Sequence, residues 1–131
     1  MGAAEDWQSR IIKEFKDYPR VTILNPRRSD FDAYAEQSIT NSYFYGQVKW
    51  ELDALDKAHI IAMYFSPETK SPITLLELGL HAQDEKLIVC CQKPYWRKGN
   101  VDMICERFNI PQATSIDSLI KSIQNALWGA D

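Results

Sequence analysis

A chain of 131 residues with 45% hydrophobic and 25% charged side chains is long enough to bury one core and too apolar for disorder, so a single domain spanning 1–131 is expected. A net charge of −3 and a pI near 5.4 give no general electrostatic reason to bind a nucleic acid polymer or an anionic membrane. No apolar run approaches the roughly 18–20 residues of a membrane span, and MGAAEDWQ lacks a charged-then-apolar leader pattern, so a cytoplasmic protein is expected.

In chain order, Ala3 to Tyr18 sets Trp7, Ile11, Ile12 and Phe15 at helical spacing, and Pro19 ends the pattern. Val21 to Leu24 reads as a strand stopped by Asn25-Pro26. A long aromatic-rich region follows to about Tyr43, with Phe31, Tyr34, Phe44 and Tyr45 in or beside it. A loop of that length in a compact domain is usually functional. A second helix is expected over Ser42 to Lys57, with Phe44, Val48, Leu52, Leu55 and Ala58 on one face. Glu51 falls on that face. It reads either as a buried carboxylate that needs a partner or as a stripe-edge glutamate reaching solvent.

His59 to Phe65 and Lys86 to Cys91 are short apolar runs without alternation, the pattern of parallel strands covered on both faces. Between them Ser71 is expected to cap, and Pro72 to open, a helix that is apolar almost all round. Only Thr74, Glu77 and His81 make a polar stripe on it, at the carboxyl end of the preceding strand, where open α/β sheets place ligands. Glu77 reads either as a surface glutamate near the positive end of the helix dipole or as a partly desolvated carboxylate that is paired or chemically used. After the second apolar strand comes a loop, Gln92 to Asn100, mixing aromatic, basic and amide groups. A helix from about Val101 to Phe108, an extended piece near Ala113 to Ser115 and a helix from Asp117 to Trp128, capped by Asp117, complete the chain.

The alternation of strand and helix predicts an α/β fold, a doubly wound parallel sheet with helices on both faces. Cys90, Cys91 and Cys105 are odd in number, two of them in an expected buried strand, with no CxxC spacing and only His59 and His81 beside them. No metal centre is expected from that set. Neither GxGxxG nor GxxxxGK[ST] occurs, so no glycine-rich phosphate loop is present and no cofactor is expected.

The ordered segments Asn25-Pro26-Arg27-Arg28, Gln47-Val48-Lys49-Trp50-Glu51, Thr74-Leu75-Leu76-Glu77-Leu78-Gly79 and Tyr95-Trp96-Arg97-Lys98-Gly99-Asn100-Val101 resemble the nucleoside 2-deoxyribosyltransferase-like proteins. That resemblance implies a flavodoxin-like fold and cleavage or exchange at the N-glycosidic bond of a small-molecule nucleoside or nucleotide. It matches Glu77 to the nucleophilic glutamate and Glu51 to an acidic residue at the base, with Asn100 near the sugar, sometimes in a neighbouring subunit. Candidate substrate-binding residues are Asn25, Tyr43, Thr74, Trp96, Arg97 and Asn100. Family members usually open with a strand and a glycine-containing turn. This sequence opens on a helix, so the sheet is expected to lack the usual first strand, either because the chain is shortened at its amino end or because it completes its sheet by oligomerising; a homo-oligomer, dimer or larger, is expected. A non-catalytic nucleotide-binding or sensing module of the same fold stands as the alternative. A receiver domain is disfavoured, since its acidic cluster and phosphorylatable aspartate are not in place.

Overall fold

The structure, a computed structural model, describes residues 6–18, 21–24 and 36–128. The chain divides into two compact units, residues 1–14 with 60–131, and residues 15–59.

The larger unit is built on a parallel sheet of three strands, β1 (Ile61–Phe65), β2 (Leu87–Cys91) and β3 (Gln112–Ala113), in the order β1-β2-β3. Ile61 stands opposite Leu87 and Phe65 opposite Cys91, while Cys90 faces Ala113. The two apolar runs form strands because nothing in them needs water. All five residues of β2 are buried, as is every residue of β1 except Ala62, which is half-buried. Phe65, Val89 and Cys90 have no exposed surface.

Helices cover both faces. The Trp7 ring, on α1 (Trp7–Phe15), lies 5.9 Å from the Tyr64 ring, and Arg10 of the same helix pairs with Asp117 of α5 (Ile116–Trp128). Phe65 points the other way and packs against Tyr95 with ring centroids 5.1 Å apart. Right-handed crossovers in one direction put α3 (Pro72–His81) and α4 (Lys98–Phe108) together on a single face of the sheet. The architecture is α/β and flavodoxin-like, with three strands among the described residues.

The smaller unit holds α2 (Ser42–Lys57), with the bounds that periodicity predicts. Asn41 caps it, its side chain accepting from the Phe44 amide at 2.9 Å. Its apolar face is less covered than expected: no residue of α2 is buried, Phe44, Val48 and Leu55 are half-buried, and Leu52 is exposed. A unit this short has little interior in which to bury a helix.

Four expectations are corrected. Val21 to Leu24 form no strand; an apolar run becomes a strand only where a ladder receives its amides and carbonyls. Ser71 precedes α3 but does not cap it. Its backbone is left-handed (φ 47, ψ 53), and its hydroxyl bonds to that of Thr69 at 2.7 Å. The last helix is capped two residues early: Ser115 Oγ accepts from the Ser118 amide at 3.1 Å, and Ser118 Oγ accepts from the Thr114 and Ser115 amides. Asp117 sits inside the first turn and serves Arg10 instead. Helix α4 starts at Lys98 rather than Val101, so Lys98, Gly99 and Asn100 belong to its first turn.

Candidate functional site

In the larger unit the carboxyl ends of the strands are tied by side chains. The Tyr64 hydroxyl donates to Gln92 Oε1 at 2.7 Å, and Gln92 Nε2 donates to the Thr114 carbonyl at 3.4 Å, so β1, β2 and β3 share one rim. The loop leaving β2 is clamped onto the loop entering α3, because the Tyr95 hydroxyl and Trp96 Nε1 both donate to the carbonyl of Lys70. These bonds fix the start of α3 against the sheet.

That helix carries Thr74 and Glu77, both half-buried. At about 100° per residue, Leu78, His81 and Ala82 define the buried side, and Glu77 stands at its edge. One turn on, buried His81 is held through Nδ1 to Asp84 Oδ2 at 2.6 Å. The carboxylate therefore lies on the border between sheet and solvent, one to two turns from the positive end of the helix dipole. The expected leucine enclosure is only partial: Leu78 is buried, but Leu76 and Leu80 are exposed, and so is Ile73.

Trp96 is exposed and flanked by cations, with the Arg97 guanidinium 4.3 Å and the Lys70 ammonium 5.2 Å from its ring. A tryptophan face so placed holds positive charge close to the entry of α3. Asn100, exposed in the first turn of α4, completes the predicted residues of this unit.

In the smaller unit Glu51 is half-buried and accepts from Gln47 Nε2 at 3.1 Å, one helical turn back. Both residues come from one of the four sequence segments, and the bond gives the carboxylate the polar neighbour that its position on the wheel requires. Tyr43 lies exposed in the first turn of the same helix. Asn25, with Arg27, Arg28, Phe31 and Tyr34, lies outside the described residues.

Sequence reasoning gave no role to Tyr95 and Lys70, which set the α3 entrance. The signal was an adjacent aromatic pair directly after a buried strand. It also missed an open cleft of about 540 Å³ at the carboxyl ends of β2 and β3, lined by Cys91, Gln92, Lys98, Asp102 and Thr114 among others. Lys98 Nζ there donates to the Cys91 carbonyl and to Asp102, each at 3.0 Å. None of the described candidate residues lines that cleft.

The cysteines do not supply a nucleophile. Burial pushes the thiols of Cys90, Cys91 and Cys105 from 9.0 up to about 11, against the downward pull of Lys98. Their folded values lie above their unfolded ones, so the stability they contribute is fully present below pH 9.0 and is lost as pH rises through about 11. At neutral pH the native protein is expected to stay unreacted with an aromatic disulfide reagent, while the urea-unfolded chain releases three equivalents of chromophore. Fast labelling of the native protein would contradict the burial of these groups.

Among the described residues no helix is long and apolar enough to cross a membrane. The fold and rim are those of a flavodoxin-like protein that presents a half-buried carboxylate on the helix following a parallel strand. Residues 1–95 match the family described as nucleoside 2-deoxyribosyltransferase like, and the chain belongs to that family. The matched stretch takes in Glu51, Thr74 and Glu77 and ends just before Trp96, Arg97 and Asn100. A comparison with curated proteins found no match.

Proposed function

We propose that this protein cleaves or exchanges the N-glycosidic bond of a nucleoside or nucleotide, as a nucleoside 2-deoxyribosyltransferase or a related N-glycosidase. The observation that carries this reading is the placement of Glu77, half-buried at the edge of α3, within the stretch matched to the family.

The chemistry follows from what a carboxylate does beside a sugar. As the bond from C1′ to the base nitrogen breaks, its electron pair leaves with the base and positive charge grows on the anomeric carbon. A Glu77 oxygen bonds to C1′ and holds the sugar as an ester. The departing base takes a proton from the carboxylic acid of Glu51, which becomes a carboxylate. Water or a second base then attacks C1′, giving its proton to Glu51 and releasing Glu77, so both acids return to their starting states. Water gives hydrolysis and a base gives transfer, so exclusion of water decides between them.

Thr74, Asn25 and Asn100 are assigned to the sugar, Tyr43 and Trp96 to stacking on the base, and Arg97 to a phosphate where the substrate carries one. The protein is read as a cytoplasmic homo-oligomer. The test is to incubate it with deoxynucleosides and ribonucleosides, with and without a free acceptor base, and to separate the products by chromatography. New nucleoside is expected only when acceptor is present. No product from any donor would favour a binding or sensing module instead.

A further inference from the structure

The open cleft at the carboxyl ends of β2 and β3 has no part in the chemistry assigned to Glu77 and Glu51. Its volume, about 540 Å³, is that of a site for a small molecule. The strand ends give it two small buried residues, Cys91 and Ala113. Around them stand Gln92 and Lys93 from the loop leaving β2, Lys98 and Asp102 one turn apart on α4, and Gln112 and Thr114 on either side of Ala113.

The polar groups there are of two kinds. Some are committed to the fold: Gln92 accepts from Tyr64 and donates to the Thr114 carbonyl, and Lys98 Nζ donates to the Cys91 carbonyl and to Asp102 Oδ1. Others bond to no described residue: the Lys93 ammonium, the Gln112 amide, the Thr114 hydroxyl and the second carboxylate oxygen of Asp102. Lys93, Gln112 and Thr114 are exposed and Asp102 is half-buried, so all four face water in the empty cleft.

We propose that this cleft binds a small phosphorylated sugar, at a second site separate from the Glu77 carboxylate. The inference goes beyond the reading above and does not depend on turnover at Glu77.

Three properties of the lining select that ligand. The first is charge. Two ammonium groups stand against one carboxylate, and Lys98 spends its charge on Asp102, so Lys93 is left to meet an anion as a point charge, the way lysine meets phosphate. The second is the mixture of donors and acceptors. An ionised carboxylate oxygen only accepts, while an amide and a hydroxyl do both, and together they match the neighbouring hydroxyls of a sugar. The third is what the lining lacks. No aromatic side chain is among these residues, so a nucleobase would have no face on which to stack, and Cys91 and Ala113 are too small to hold a long apolar chain.

The experiment is a titration of the ¹⁵N-labelled protein followed by amide chemical shifts, with ribose 5-phosphate, inorganic phosphate, ribose and a deoxynucleoside as separate probes. Ribose 5-phosphate is expected to give saturable shifts at the amides of Gln92, Lys93, Gln112 and Thr114. Inorganic phosphate should shift the same amides with a dissociation constant about tenfold higher, and ribose or the deoxynucleoside should leave them in place. Lys93→Glu is expected to weaken ribose 5-phosphate by at least about tenfold, and Thr114→Val by about fivefold. Both side chains are exposed, so the melting temperature should be unchanged, and Glu77→Gln should bind as the wild type does.

Absence of shifts at these amides, shifts confined to Thr74 through Glu77, or indifference to Lys93→Glu would overturn the site. Equal affinity for inorganic phosphate and ribose 5-phosphate would overturn the sugar as its ligand. Glu77-dependent turnover with a silent cleft would remove this site and leave the catalytic reading standing, and a filled cleft without turnover would do the reverse.

Discussion

Replacing Glu77 by alanine is expected to lower turnover of a deoxynucleoside by at least about a thousandfold, with little change in the melting temperature. The size follows from the role. A nucleophile that forms an ester divides one difficult displacement into two easier ones, and without it the anomeric carbon has only water to meet. Stability should be spared because Glu77 sits half-exposed at the edge of α3, away from the side defined by Leu78 and Ala82. Glu77→Gln keeps the shape and removes the charge, so it should be nearly as inactive. Glu51→Gln removes a proton donor rather than the bonding atom and is expected to cost about a hundredfold. It should cost least with donors whose bases leave readily. Equal turnover by wild type and Glu77→Ala would remove Glu77 from the mechanism.

The second large effect is on stability. Phe65→Ala is expected to cost about 4 kcal/mol, read as a lower urea midpoint at unchanged slope. Phe65 has no exposed surface, closes the carboxyl end of β1 and packs against the Tyr95 ring. Its loss leaves a cavity that the sheet cannot collapse to fill, since Val89 and Cys91, on the same face of the sheet, are themselves buried. The same change reaches the candidate site. Tyr95 is the residue whose hydroxyl clamps the Lys70 carbonyl at the entrance of α3, so the variant should lose part of its activity under conditions where it is still folded. Tyr95→Phe removes only that hydroxyl and separates the two effects. It should keep most of the packing and show the activity defect alone.

How much of this was legible in the sequence depends on what each pattern encodes. The strands β1 and β2 were readable because a short run with no polar residue has one stable use, a place between two layers of helix. Helix α2 was readable because its apolar positions repeat once per turn. Helix α3 was readable as a helix but not in its orientation, for a helix that is apolar nearly all round gives no sign of which side is covered. Here the sheet takes Leu78 and Ala82 and leaves Leu76 and Leu80 in water. Caps were misassigned where residue type and backbone angle part company. Ser71 has a capping side chain but a left-handed backbone that turns its hydroxyl toward Thr69, and Ser115 outcompetes Asp117 because Ser118 can return the bond. The start of α4 was missed because Gly99 reads as a breaker, whereas the Lys98 amide is already donating to the Tyr95 carbonyl and has begun the turn.

The candidate site was legible in its carboxylates and less so in their support. Glu51 was singled out because its position on the wheel demanded a partner, and Gln47 supplies one. Nothing in the spacing tells that Tyr95 and Trp96 converge on a backbone carbonyl, since carbonyls leave no trace in the residue alphabet.

The most direct measurement is a trap of the covalent step. The protein is mixed with a deoxynucleoside in the absence of acceptor base, quenched in acid within one turnover, digested and examined by mass spectrometry. The peptide spanning Pro72 to His81 is expected to carry one deoxyribosyl unit, and fragmentation to put it on Glu77. Turnover with that peptide unmodified, or with the sugar on another side chain, would contradict the account.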